Sequence, residues 1–128
     1  MPGYPSQEAM TKVVNEMVRL MQEDEKLAAA IKSQNFSFAA DLTDLKAKYY
    51  LSFRTGQVAG GVGDDPKGTV LTLRMTSETF DDLFSGAKDA MSLAMTGKIS
   101  FSGNTSAGMA LMGAMGNIQR AYKAAKAG

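Results

Sequence analysis

The chain changes the period of its apolar positions twice. Met10, Val13, Val14, Met17, Leu20 and Met21 recur at three- and four-residue spacing, while Lys12, Asn15, Glu16, Arg19, Gln22 and Glu23 fill the intervening positions. This is one face of an amphipathic helix, opened by Pro5 and a capping Ser6. Asp24-Glu25 predicts a second, shorter helix through Leu27, Ala28 and Ile31, with acidic charge in its first turn. The period then falls to two. Phe36, Phe38, Ala40 and Leu42 alternate with Ser37, Ala39 and Asp41, and Tyr49, Leu51 and Phe53 alternate with Tyr50, Ser52 and Arg54. Leu71, Leu73 and Met75 alternate with Val70, Thr72 and Arg74, and Ile99 and Phe101 with Lys98, Ser100 and Ser102. Each run reads as a half-buried strand. A further strand over 57–62 completes a meander between turns at Thr43-Asp44 and Thr55-Gly56 and a longer loop over 63–68.

Because the second face is polar in nearly every strand, the sheet is expected to be covered on one side and wet on the other, with mostly antiparallel pairing. Between Met75 and Gly97 the pattern predicts two short helices, over 78–85 and 87–95. A crossover of that length allows the chain to return in parallel with an earlier strand. From 105 to 127 the pattern is helical again. The expected architecture is α+β: one domain over residues 1–128, with a five-stranded mostly antiparallel sheet and helices covering one face.

Composition narrows the chemistry. A chain of 128 residues supports one core without metal or disulfide help. Its 14 basic and 13 acidic residues leave a net charge of +1, without the basic excess of a nucleic-acid binder. There is no Cys and no His, which removes disulfides, Cys or His metal sites, thiol catalysis and every Ser-His or Cys-His pair. Asp64-Asp65 and Asp81-Asp82 lack the interleaved oxygen ligands of a calcium loop. They read as a loop and as the negative first turn of a helix capped by Thr76 or Ser77. Gly63 and Gly68 before Thr69 fail as a phosphate loop, since Lys67 precedes the second glycine and a strand follows. Gly60-Gly61-Val62-Gly63 fails as a dinucleotide fingerprint for want of a following helix, and reads as a weakened edge strand or bulge. No metal, cofactor, catalytic residue or nucleic-acid partner is expected. The first residues lack the basic start and apolar stretch of a secretory signal, so the expected location is cytoplasmic.

Methionine is the one excess: 10 residues, as many as Leu. Residues 106–118 carry no charge and place Met109, Met112 and Met115 three apart, with Gly108, Gly113 and Gly116 inside a helical pattern. Each interior Gly costs about 1 kcal/mol relative to Ala, so this helix should be soft. The segment reads either as a core helix whose small residues allow close packing or as an adaptable apolar surface. After Asp89 there is no acidic residue, and Lys98, Arg120, Lys123 and Lys126 give that stretch a charge of +4. Arg120, Lys123 and Lys126 suit a helix C-terminus, and they equally suit transient contact with anionic lipid headgroups.

The order of these pieces resembles a known family. The run from Asn35 to Asp44 (NFSFAADLTD), then Tyr49 to Val58 (YYLSFRTGQV), resembles the first strands and Gly-turn hairpin of the sterol carrier protein 2 domain. Thr69 to Phe80 (TVLTLRMTSETF), with Leu83 and Gly86, is similar to its Thr-rich strand running into a helix. Gly97 to Asn104 (GKISFSGN), then Ala110-Leu111, is similar to its last strand. The resemblance spans about Leu27 to Ile118 and implies a small lipid-binding domain with an apolar tunnel under the helices and no chemistry performed on the ligand.

The expected function is therefore non-enzymatic binding and transfer of a fatty acid, fatty acyl-CoA, sterol or isoprenoid, or phospholipid. The expected lining is Phe53, Leu73, Ile99 and Phe101 from the sheet, Phe80, Phe84, Met91 and Met95 from the crossover, and Met109, Met112 and Met115 from the last helix acting as a lid. Arg120, Lys123 and Lys126 are the expected membrane-surface contacts. The alternative is an accessory module that docks a partner enzyme through the Met-rich, basic last helix.

Overall fold

A computed structural model describes residues 4, 6–32, 35–54 and 56–127. Helix α1 (Gln7–Gln22) begins where Ser6 Oγ accepts from the Ala9 amide at 3.2 Å, and it buries Met10, Val14, Met17, Val18 and Met21. Asp24 caps α2 (Glu25–Ala30) by accepting from the amides of Lys26 and Leu27. Then follow β1 (Asn35–Leu42), β2 (Ala47–Arg54), β3 (Gln57–Val62), β4 (Leu71–Met75), α3 (Ser77–Phe84), α4 (Ala90–Met95), β5 (Ser100–Gly103) and α5 (Thr105–Ala127). Two helices start elsewhere than the pattern predicts, for capping reasons. Thr76 accepts from the Thr79 amide and starts α3 one residue early, and Asp89 accepts from the Ser92 amide at 2.7 Å and starts α4 three residues late.

The sheet order is β3-β2-β1-β4-β5. Phe38, on the central strand, faces Leu51 of antiparallel β2 and Leu71 of parallel β4. The parallel pairing thus lies at β1–β4, reached through β2, β3 and the loop after them. It does not lie across the helical crossover, where β4 and β5 pair antiparallel with Leu73 opposite Phe101. The free edges explain this. β2 already holds β3 on its outer side, so β4 takes the open edge of β1, and β5, with the outer edges of β3 and β4 both free, adds to β4.

Phe36, Phe38, Phe53, Leu71, Leu73 and Met75 share the helix-covered face. Against them pack α1, α3 and α5, with Phe80 stacked on Phe84 at a centroid distance of 4.0 Å and Tyr122 edge-on to both. Close approach of α1 to β3 depends on Gly60, where a Cβ would lie 2.7 Å from Val18 Cγ2 and 2.8 Å from Leu51 Cδ2.

The opposite face is less wet than the alternation predicts. Ser37, Ala39 and Ser52 are buried there, and Ser37 Oγ donates to the Gly68 carbonyl at 2.8 Å. The 63–69 loop is thereby tied to the sheet. Its Asp65 is buried, pairs with Arg54 at 2.6 Å and accepts from the Lys67 amide, so a carboxylate occupies the loop that superficially resembles a phosphate cradle. Burial pushes the Asp65 carboxyl up, but the Lys67 amide and the Arg54 guanidinium outweigh it and hold the group below its usual range.

Candidate functional site

The apolar face of the sheet is not covered to its edge. Phe101 of β5 stands opposite Leu73 and projects to the same side, yet Leu73 is fully buried while Phe101 is 45% exposed. The elements that bracket β5 in the chain are exposed in the same way. On α4, Met91 and Met95 lie one turn apart and are 74% and 82% exposed, while Leu93 on the other side is buried. On α5, Met109 and Met112 are also exposed, while Leu111 is fully buried. The first half of α5 carries no charge, and a Cβ at Gly108 would make an ordinary contact with Leu71 Cδ2 at 4.0 Å.

The structure therefore divides the expected lining. Phe53, Leu73, Phe80, Phe84, Ile99 and Met115 belong to the packed core. Met91, Met95, Phe101, Met109 and Met112 form the exposed set. Helix geometry explains why Met115 leaves its companions. A step of three residues falls about 60° short of a full turn, so Met109 and Met115 stand about 120° apart. The series accordingly runs from solvent at Met109, through a half-exposed Met112, into the core at Met115. Exposed Val62 and Val70 lay outside the expected set, as single apolar residues in strand patterns carry no distinguishing signal.

Open hollows lie elsewhere among the described residues. One, of about 510 Å³, runs between α1 and α5 and is lined by Lys12, Val13, Asn15, Glu16, Arg19, Ala125 and Lys126. Another, of about 450 Å³, sits beyond the end of β4 among Arg74, Thr76, Glu78, Asp82, Lys88 and Lys98. Neither contains a residue of the expected apolar lining.

The second half of α5 is structural, so this helix is more than a detachable lid. Ile118 and Tyr122 are fully buried, and the Tyr122 hydroxyl donates to Asp81 Oδ1 of α3 at 2.7 Å. Asp81 is thus not a first-turn charge, as its sequence context suggests. It sits in the second half of α3, and Glu78 is the first-turn acid. Lys126 reaches the same Asp81 oxygen at 2.5 Å, and the hydroxyl of Tyr4 bonds that of Tyr122. Burial pushes the Asp81 carboxyl up, but the hydrogen bonds from Lys126 and Tyr122 prevail and hold it below its ordinary value. Burial drives the Tyr122 phenol far upward, with the bonds to Tyr4 and Asp81 acting in the same direction.

Two of the expected membrane-surface cations have partners within the chain. Arg120 pairs with Asp24 of α2 at 2.8 Å and Lys126 with Asp81, while Lys123 is exposed. Among the described residues no helix is long and apolar enough to cross a membrane.

Against known protein families, residues 14–116 match the SCP-2 sterol transfer family. The chain belongs to that family. Sterol carrier protein 2 from Yarrowia lipolytica, solved in its apo form, is 26% identical with a TM-score of 0.66, and the match covers 87% of this chain and 90% of that one. A conserved hypothetical protein of Thermus thermophilus, described as possibly a sterol carrier protein, shares the fold at a TM-score of 0.69 and 14% identity, with 88% and 85% of the chains covered. The fold also recurs in a sec-alkylsulfatase from Pseudomonas sp., at 22% identity and a TM-score of 0.60, where the match covers 70% of this chain but only 14% of the sulfatase. No curated protein matches the sequence. Membership of the SCP-2 sterol transfer family identifies lipid binding and transfer as the general activity of the domain.

Proposed function

We propose that this SCP-2 domain is a non-enzymatic carrier that takes up a lipid at the uncovered edge beside β5. The candidate ligands are a fatty acid, fatty acyl-CoA, sterol or isoprenoid, or phospholipid. The observation that carries this reading is Phe101: it continues the buried apolar face of Leu73 into solvent and is flanked in the chain by an exposed Met pair on each side. Apolar side chains left open by a folded domain are where apolar ligands engage, and Met fits its shape to chains and rings alike. In this reading Met91, Met95, Phe101, Met109 and Met112 receive the ligand first. The core residues Phe53, Leu73, Phe80, Phe84, Ile99 and Met115 form the wall that it reaches when α5 yields. Three glycines make the first half of α5 the softest part of that wall. A chain without His or Cys supports carriage rather than chemistry. Exchange at an anionic membrane would use Lys123 with the partly neutralised Arg120 and Lys126, a weak and transient contact.

The test is titration with a fluorescent long-chain fatty acid and with a fluorescent sterol, comparing wild type with Phe101→Asp and Met109→Asp. Both substitutions are at exposed positions and should leave the melting temperature nearly unchanged. Each should weaken binding by roughly ten-fold or more, the cost of placing a carboxylate in an apolar site. Undiminished affinity in both variants would move the site away from the β5 edge.

A further inference from the structure

The nine described methionines fall into two classes with nothing between them. Met10, Met17, Met21, Met75 and Met115 are at most 7% exposed, whereas Met91, Met95, Met109 and Met112 are 43–82% exposed. The chain holds no Cys and no Trp, so these four thioethers are the most readily oxidised groups offered to solvent among the described residues. All four sit on the helices that bracket β5, and none of the exposed methionines lies anywhere else among the described residues.

We infer that Met91, Met95, Met109 and Met112 form a reversible oxidation site through which peroxides, including lipid hydroperoxides, switch off ligand uptake at the β5 edge. This regulation rests on the carrier reading above. In the chemical step the thioether sulfur attacks the outer peroxide oxygen with its lone pair. An S–O bond forms, the O–O bond breaks, and the departing oxygen takes up a proton to leave as water or, from a lipid hydroperoxide, as an alcohol. Sulfur is oxidised by two electrons and the peroxide is reduced by two. The product sulfoxide is polar and chiral where the thioether was apolar and pliable, so an edge suited to hydrocarbon becomes one that prefers water. The five buried methionines lack the solvent access that the reaction needs, and the core is therefore spared. Methionine sulfoxide reductases, using two electrons from an external thiol that is oxidised to a disulfide, return the sulfur to the thioether and release the oxygen as water, which makes the change a switch rather than damage.

The experiment treats the full chain with hydrogen peroxide at neutral pH, maps sulfoxides by peptide mass spectrometry over time, and measures the dissociation constant of a fluorescent fatty acid together with the melting temperature. The four exposed methionines should convert at least about five-fold faster than Met10, Met17, Met21, Met75 and Met115, as their accessibilities dictate. The dissociation constant should rise roughly ten-fold while the melting temperature holds, and reductase treatment should restore it. In a second protein carrying Met91→Leu, Met95→Leu, Met109→Leu and Met112→Leu, the ratio of treated to untreated dissociation constants should stay at one, whatever its starting affinity. Equal conversion of buried and exposed methionines, an unchanged dissociation constant once the four are converted, or equal sensitivity in the Leu variant would each overturn the inference. An untreated wild type that binds neither fatty acid nor sterol is a different failure: it removes the carrier reading, and this regulation with it.

Discussion

The Tyr122 hydroxyl spends its one proton on Asp81, at 2.7 Å, so the bond between Tyr4 and Tyr122 is donated by Tyr4. A phenol from α5 and a carboxylate from α3 are thereby joined inside the same aromatic cluster as Phe80 and Phe84. Lys126 completes the charge balance from one turn further along α5.

Asp81 gives stability a pH signature. Its carboxyl is held below the ordinary value of about 3.9, so its stabilising contribution is present in full above that pH and is lost as pH falls through the lower, folded-state value. Asp81→Asn should cost about 1 to 3 kcal/mol at pH 7. The gap in melting temperature between wild type and variant should narrow once the pH drops below about 4. A gap that stays constant down to pH 2 would show that the carboxylate's charge does not stabilise the fold.

Gly113 and Gly116 lie within α5 with nothing within 4 Å of where a Cβ would stand, so close packing does not require them. Replacing either with Ala should stabilise the domain by about 0.5 to 1 kcal/mol, read as a rise in melting temperature of roughly 3 °C. If the soft half of α5 must yield for ligand to enter, the double variant should also take up a fluorescent fatty acid more slowly in stopped-flow mixing. Stabilisation without slower uptake would remove that role for the glycines.

Gly103 is at the opposite extreme. Its φ is +119°, and a Cβ would stand 2.3 Å from the Val70 carbonyl oxygen, a backbone atom that cannot swing away. Gly103→Ala should therefore cost about 3 kcal/mol or more and loosen the β4–β5 pairing. Gly60→Ala meets side-chain ends as well as the Tyr50 carbonyl, and should cost about 1 to 3 kcal/mol. Denaturant unfolding distinguishes the two, and a Gly103→Ala protein as stable as wild type would contradict the backbone geometry.

Much of this was legible in the order of residues. Two-residue alternation located β1, β2, β4 and β5, and β3 came out with the bounds that the turns on either side of it predict. What failed was whatever depended on a partner far along the chain. Ser37 and Ser52 read as solvent-facing because alternation cannot show that the 63–69 loop folds back over them. Asp81 read as a helix-start charge because Tyr122, 41 residues later, is invisible to a local pattern. Met109, Met112 and Met115 read as one stripe because their spacing is regular, although a three-residue step rotates around the helix instead of following one side of it. The exposed half of the candidate site was thus visible only as composition, an excess of Met, until helix rotation and sheet register separated surface from core.

The packing of α1 against α5 also governs how the domain assembles. Every strand lies between those two helices in sequence, and the central β1–β4 pairing must close across two intervening strands. During synthesis the β1–β2–β3 meander can form early from local contacts, and α1, already made, can cover its β3 side, but the part of the apolar face over β1 and β4 that α5 packs against stays open until α5 arrives. Until α5 is made, a nascent chain of this domain therefore keeps part of its buried core, on the β1–β4 side, open to the cell, and that is the stage at which it most needs a chaperone.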